Sequence, residues 1–242
     1  MTDPYHVSII TIGLDETSIR RVRDLMKQQT YDDLEVVGST KDGIPAAWNH
    51  ALTNASGELY VFTETDAAPI RDDWLERIVA DFNLPERRVV HYGEVGRPGH
   101  GYDLSNLAVP AAVVDEFCFD ESYPIVEDTE LFTRMDMAGV KFEKRYDNPV
   151  YHHPAPDRQN ERAFQRGYYQ ARCRLRHGQI GPSNETRHIP GNLDDKTAIS
   201  ESASLPEIII DQITSPLQSV KSELAFLAGG AKATVDHIRG QL

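Results

Sequence analysis

Glu64-Thr65-Asp66 sets two carboxylates one residue apart, directly after the apolar run Leu59-Tyr60-Val61-Phe62 and before Ala67-Ala68-Pro69. At a separation of about 5 Å and an effective dielectric of about 20, two such anions repel by roughly 3 kcal/mol. A divalent cation removes that cost and gives the pair a purpose. Mg2+ or Mn2+ suits the donor set, because hard cations take carboxylate oxygen and often share their coordination with substrate phosphates. A solvated acidic turn is the alternative, so the surrounding elements have to decide.

Those elements alternate between strand and helix. Val7–Ile12 is continuously apolar, as a central strand covered on both faces requires. Ile19, Val22, Leu25 and Met26 recur at helical spacing, with Asp15 or Thr17 as the amino-terminal cap. Leu34-Glu35-Val36-Val37 reads as a second strand, and Ile44, Ala47, Trp48, Ala51 and Leu52 form an amphipathic stripe. A third strand over 59–63 delivers Glu64 and Asp66. Strands and helices in this order predict an open, mostly parallel α/β sheet with flanking helices. Ligands of such sheets bind beyond the carboxyl ends of the strands, which places Glu64 and Asp66 in a site with Gly13–Asp15 and Gly38–Asp42 beside them.

Farther on, Asp72 is a good cap for a helix carrying Trp74, Leu75, Ile78, Val79 and Phe82, a strand follows at Val89–Tyr92, and Gly93–Tyr102 reads as a loop. Leu131, Phe132 and Met135 share a helical face ending at Gly139, so Asp128 sits near a helix amino terminus. Val140, Phe142 and Lys144 alternate as a strand. The carboxyl third brings a basic helix around Arg158–His177 and a polar linker or lid. Its last part is a helical extension, 207–242, in which Leu217, Leu224, Ala231 and Ile238 recur every seven positions.

Composition narrows the function. The 242 residues are 40% hydrophobic, enough for one sizeable core, and no apolar stretch approaches the ~20 residues that span a bilayer. The amino terminus lacks the basic-then-apolar layout of a secretory signal, so a cytoplasmic protein is expected. A formal charge of −13 argues against nucleic acid as a partner. Cys118 and Cys173 alone make neither a disulfide framework nor a cysteine-rich zinc site. The dispersed acidic excess, with seven Lys among 25 basic residues, is similar to that of proteins from salt-loving archaea.

In order along the chain, Val7-Ser8-Ile9-Ile10, Gln28–Val36, Ala47-Trp48-Asn49-His50-Ala51-Leu52, Phe62-Thr63-Glu64-Thr65-Asp66, Ser105-Asn106-Leu107-Ala108, Phe119-Asp120-Glu121 and Glu127-Asp128-Thr129-Glu130-Leu131 resemble the family-two glycosyltransferases. Their fold is the Rossmann-like A-type nucleotide-diphospho-sugar transferase sheet. The resemblance covers about Val7 to Arg176. It implies a catalytic domain over 1–177, a linker or lid over 178–206, and transfer of a sugar from a nucleotide diphosphate to an acceptor with inversion at the anomeric carbon.

By the same resemblance, Asp66 is a ligand of Mn2+ or Mg2+, and Glu64 is a second ligand, a ribose contact or a ligand through water. Asp128 matches the catalytic base, and His152, in preference to His153, completes the metal shell. Thr11, Gly13, Asp15, Ser39, Asp42, Asn49 and Thr65 are the expected nucleotide-sugar contacts, and Asn106 and Glu127 the acceptor-side ones. A UDP-sugar is the default donor, and a glycan or polyprenyl phosphate the acceptor. Two departures stand out: Gly38-Ser39-Thr40 replaces the usual acid after the second strand, and Gly13-Leu14-Asp15 replaces a Pro-containing turn.

The alternatives are a sugar-nucleotide nucleotidyltransferase, which calls for a Gly-rich basic loop where Gly13-Leu14-Asp15-Glu16 stands, and a non-catalytic carbohydrate-binding or scaffold relative. For the apolar seam of the tail, packing on the catalytic domain ranks first, then self-association, then peripheral membrane contact. Arg158, Arg162, Arg166, Arg172, Arg174 and Arg176 either meet an anionic acceptor or lipid, or are solvated helix positions.

Overall fold

The apolar run Val7–Ile12 forms strand β1 at the centre of a parallel trio, in a computed structural model that describes residues 5–82, 86–96, 102–153, 162–187, 225–237 and 239. Strand β2 (Leu34–Ser39) pairs with one side of β1 and β3 (Leu59–Phe62) with the other, so that Ile9 faces both Val36 and Val61 in register. Beyond β3 the sheet continues through an antiparallel member, Leu107–Pro110, then Arg88–His91, Lys141–Lys144 and Thr186–Arg187, all parallel to one another. With Ala67–Pro69 as β4, Arg88–His91 as β5, Glu94–Val95 as β6, Leu107–Pro110 as β7, Lys141–Lys144 as β8, Val150–His152 as β9 and Thr186–Arg187 as β10, the seven-strand order is β10-β8-β5-β7-β3-β1-β2. The expected mostly parallel α/β sheet is therefore present, with β7 as its antiparallel member.

Alternation along the strands feeds two apolar layers, as the two-residue period of a strand requires. Val7, Ile9, Leu59 and Val61 face helices α1 (Glu16–Met26) and α3 (Trp74–Asp81). Ile10, Tyr60 and Phe62 face the other layer, built on α2 (Ile44–Thr53), a helical turn α4 (Ala111–Val114) and α5 (Glu127–Met137). There Trp48 meets Phe62 edge-on at 5.5 Å and stacks on Phe119 at 6.1 Å. Helix α1 begins where expected, because Asp15 accepts a hydrogen bond from the Ser18 amide at 2.8 Å; Thr17 plays no such part. At α3 the preceding residue is Asp73, not Asp72, and its carboxylate pairs with Arg71 and Arg77 instead of capping.

A second, three-stranded sheet, β4-β9-β6, was not foreseen and matters more than its size suggests. Its members are two or three residues long, too short for any periodic signal. The four-residue β7 was missed for a similar reason, being an apolar run closed by Pro110.

The chain divides into two compact units, Met1–Pro154 with Ile180–Ile189, and Ala155–Gln179 with Pro190–Leu242. In the second, α6 (Ala163–His177) touches a further helix, α7 (225–237), backbone to backbone: a Cβ on Gly167 would lie 1.9 Å from the Phe226 carbonyl oxygen, and one on Gly229 1.9 Å from that of Phe164. Of the expected seam, Leu217, Leu224 and Ile238 lie outside the described residues, as do Arg158 and most of the linker or lid. Residues 178–187 of that linker are described, and of these 180–187 form a strap on the first unit. Gly181 donates to Thr133 Oγ1 at 2.9 Å, and the Ser183 amide and hydroxyl donate to Asp136 Oδ2 at 3.0 and 2.6 Å. Asn184 accepts from the Phe142 amide and donates to the Val140 carbonyl, seating β10 beside β8.

Asp136, 7% exposed, is the strap's main anchor on α5. Replacing it by Ala removes its bonds to Ser183 and Asn184, so Asp136→Ala is expected to cost about 1–3 kcal/mol in chemical denaturation and to speed amide exchange over 181–187. A loss within about 0.5 kcal/mol of zero would show that the strap is held elsewhere.

Candidate functional site

Because β1, β2, β3, β5 and β8 run in one direction and β7 in the other, the carboxyl ends of the former and the amino end of β7 share one edge of the sheet. Glu64 and Asp66 follow β3, His91 ends β5, Glu94 follows it, and Asp103 precedes β7. The chain after β3 turns through Thr65, with the Ala67 amide donating to the Glu64 carbonyl at 3.1 Å, and enters β4. There Ala67 pairs with His152 of β9, and the His153 amide donates to the Asp66 carbonyl at 2.9 Å. This pairing carries His152 to the acidic turn.

His152 is 2% exposed, with Nε2 3.1 Å from Glu64 Oε2 and 3.3 Å from Asp66 Oδ1. Its Nδ1 is hydrogen-bonded to Glu94. Burial by itself lowers the imidazole pKa, but hydrogen bonds to Asp66, Glu64 and Glu94 outweigh it and push the ring up to about 11. An imidazolium thus sits among three carboxylates. His153 is exposed, and its ring packs edge-on against Tyr151. Donor atoms of Glu64, Asp66 and His152 all lie within 4.8 Å of one another. Two carboxylates and an imidazole fit a hard or borderline divalent cation, and the nitrogen favours Mn2+ over Mg2+.

Behind this set stands a second one that sequence reasoning missed. His91, 1% exposed, accepts from the Gly93 amide at Nδ1, so its Nε2 carries the proton given to Asp103 Oδ1 at 3.0 Å. The Ser105 amide and hydroxyl also donate to Asp103, at 3.0 and 2.6 Å. Those bonds outweigh burial and keep Asp103 ionised far below the usual carboxylate range, whereas burial raises Glu94. A signal was available: the strand-end rule that selects Glu64 applies equally to Glu94, two residues beyond Tyr92.

Asp128 is the second residue of α5, whose preceding residue, Val126, has a φ of 63°, a left-handed conformation that a β-branched side chain adopts only under strain. Its Oδ1 accepts from the Thr129 amide and hydroxyl. Although the side chain keeps some exposure, the protein packed around it pushes the carboxyl up to about 6; the Thr129 amide opposes this, and the charges of Asp103 and Glu64 add to it. Glu127 is half-buried beside it. Glu130 is fully buried in a two-oxygen pair with Arg134, which also holds the Cys118 carbonyl.

The remaining expected contacts divide. Gly13 and Ser39 meet at the ends of β1 and β2, the Gly13 amide donating to the Ser39 carbonyl at 3.0 Å, and Asp42 is exposed beside them. Thr65 is half-buried in the acidic turn. The structure places the other four as follows. Asn49 is engaged at both ends of its amide by the Phe119 backbone, at 2.9 and 2.8 Å, so it clamps that loop instead of facing a nucleotide. Asn106 is fully buried and bonded to Trp74, Gly93 and Asn148, which leaves nothing for an acceptor. Asp15 spends its carboxylate on capping α1. Thr11 is fully buried, and its hydroxyl makes no hydrogen bond among the described residues.

This sheet, with β7 reversed and an acidic turn after β3, defines the A-type nucleotide-diphospho-sugar transferase fold. Among solved structures the chain is similar to the mannosyltransferase PcManGT from Pyrobaculum calidifontis in complex with GDP-Man and Mn2+, with a TM-score of 0.64 and 16% identity over 97% of this chain and 88% of that one. It is also similar to S. aureus TarS 1-349, alone and in complex with UDP-GlcNAc, each with a TM-score of 0.52 and 14% identity over 72% of this chain and about two thirds of TarS 1-349. No protein-family model matches the sequence, and comparison with curated proteins returns no match.

Two outcomes follow from the charges. A cation on His152 Nε2 must displace its proton, so Mn2+ affinity should rise about tenfold per pH unit between pH 7 and 9, with proton release in calorimetry; a flat profile would exclude that nitrogen as a ligand. Asp128, with a folded pKa above its unfolded one, costs stability that is fully present above about pH 6 and absent below its ordinary value of 3.8. Asp128→Asn should therefore melt a few degrees above the wild type at pH 8 and level with it at pH 4.

Proposed function

We propose that the chain is a metal-dependent glycosyltransferase that moves a sugar from a nucleotide-diphosphate donor to an acceptor hydroxyl or lipid phosphate, with inversion at the anomeric carbon. The observation that carries this reading is the meeting of Glu64, Asp66 and His152 at the carboxyl edge of the sheet. The fold supports it, since solved structures that share the fold hold GDP-Man with Mn2+ or UDP-GlcNAc. UDP is the default carrier.

In this proposal Asp66 and His152, with Glu64, hold Mn2+ or Mg2+, which when bound offsets the negative charge that builds on the departing diphosphate. Gly13, Ser39, Asp42 and Thr65 line the donor side, and Glu127 the acceptor side. The acceptor oxygen bonds to the anomeric carbon, the bond from that carbon to the donor phosphate oxygen breaks, and the acceptor proton passes to the Asp128 carboxylate. With its carboxyl near 6, Asp128 is ionised at neutral pH and still basic enough to take a proton in the transition state. A glycan or a polyprenyl phosphate is the acceptor.

The geometry disfavours a nucleotidyltransferase. The amino end of α1, where such an enzyme would bind phosphate, is occupied by the chain's own Asp15. Among the described residues no helix is long and apolar enough to cross a membrane. We place the protein in the cytoplasm of a salt-adapted cell, with peripheral membrane contact or self-association through α7 where the acceptor demands it.

A thermal-shift screen of UDP, GDP and their sugars tests the reading, because a ligand of the folded state raises apparent stability. The expected shift requires Mn2+, vanishes in Asp66→Ala and persists in Asp128→Asn, whose turnover falls about 10²–10⁴-fold. Wild-type kcat/KM should fall tenfold per unit below about pH 6. Neither hydrolysis nor binding of any nucleotide sugar at saturating Mn2+ would falsify the enzyme reading and favour a carbohydrate-binding or scaffold role.

A further inference from the structure

The metal ligands and the base leave one buried acid without a role. The Glu94 side chain is 4% exposed, with the Asp103 carboxylate on one side and the His152 ring on the other, and it meets that ring on the nitrogen that faces away from Glu64 and Asp66. We propose that Glu94 is the positioning residue of the metal centre: it accepts a hydrogen bond from the Nδ1–H of His152 and thereby presents the Nε2 lone pair to the Glu64–Asp66 turn. The proposal rests on the metal-centre reading above.

The backbone is built for this contact. Strand β6 runs parallel to β9 with Glu94 opposite Val150, two residues before His152 and so on the same face. Gly96 lets β6 lie close, since a Cβ there would come within 2.6 Å of the His152 carbonyl oxygen. The same Glu94 oxygen, Oε2, meets the ring and lies 3.2 Å from the Ser105 hydroxyl, whose shorter bond goes to Asp103. Glu94 cannot itself share an ion with Glu64 and Asp66, because the two nitrogens of one imidazole point in different directions. What it can do is choose the tautomer. A neutral imidazole carries one proton, and a carboxylate on Nδ1 keeps that proton away from Nε2. His91 shows the opposite arrangement: its Nδ1 accepts from Gly93 and its Nε2 donates to Asp103, so that ring is spent on structure.

Removing such an outer partner costs about 10–100-fold in metal affinity. Mn2+ affinity, read from the electron paramagnetic resonance of free Mn2+ without donor, should fall by that factor in Glu94→Ala. It should recover at least about threefold in Glu94→Gln, which keeps an acceptor of the same shape. In the Mg2+-saturated wild type, the ring 15N shifts of His152, assigned by their loss in His152→Asn, should show a protonated Nδ1 and a bare Nε2. An affinity in Glu94→Ala within twofold of wild type, or a Gln variant no better than Ala, overturns the proposal. If Glu94→Ala does not fold, the ring shifts decide: a proton on Nε2 overturns it. A wild type that binds no Mn2+ overturns the metal-centre reading and this inference together, whereas normal wild-type binding with an indifferent Glu94 sinks this inference alone.

Discussion

Negative charge crowded at one end of the sheet is the constraint on which the rest depends. Glu64, Asp66, Glu94, Asp103 and Asp128 come from four separate stretches of chain; the charge of Asp103 raises the cost of ionising Glu94 and, with that of Glu64, the cost of ionising Asp128. The fold tolerates them because two buried imidazoles are threaded between them. His152 sits between Glu94 on one nitrogen and Glu64 with Asp66 on the other, and His91 holds Asp103. In the free protein the Nε2 proton of His152 points at the carboxylates of Glu64 and Asp66. The crowded acids therefore have a buried positive charge among them before any ligand arrives.

Much of this was readable in the order of residues, for reasons that can be named. Long periodic segments carry their own signal: the apolar run of β1 and the helical stripe through Trp48 and Ala51 sit where spacing puts them. The strand-end rule then selects Glu64 and Asp66. What could not be read was whatever depends on pairing across the chain. Strands of two or three residues have no period, so β4 and β6 were silent, and with them the reason His152 and not His153 turns inward. Polar residues were read with least success. Asn49 and Asn106 look like ligand-binding groups until the backbone groups that saturate them are seen.

The small β4-β9-β6 sheet converts a sequence separation into a distance. Asp66 and His152 are far apart along the chain, yet the Ala67–His152 pair makes them neighbours with hardly any freedom left. Each of its three strands follows a strand of the main sheet after a short connection, β4 after β3, β6 after β5 and β9 after β8. The same economy applies at α5, where the strained Val126 and the buried Glu130–Arg134 pair fix the helix start that aims Asp128.

The path of the chain through β10 has a consequence for how such a protein can be divided. After leaving for α6 the polypeptide comes back to lay Thr186–Arg187 against β8 before departing again. The two units are thus interleaved along the polypeptide, and a single cut cannot part them cleanly. A fragment stopped at the end of α6 would bare the hydrogen-bonding edge of β8, and exposed edges recruit other strands. Swapping the helical unit between relatives therefore demands two junctions, one on either side of that returning segment.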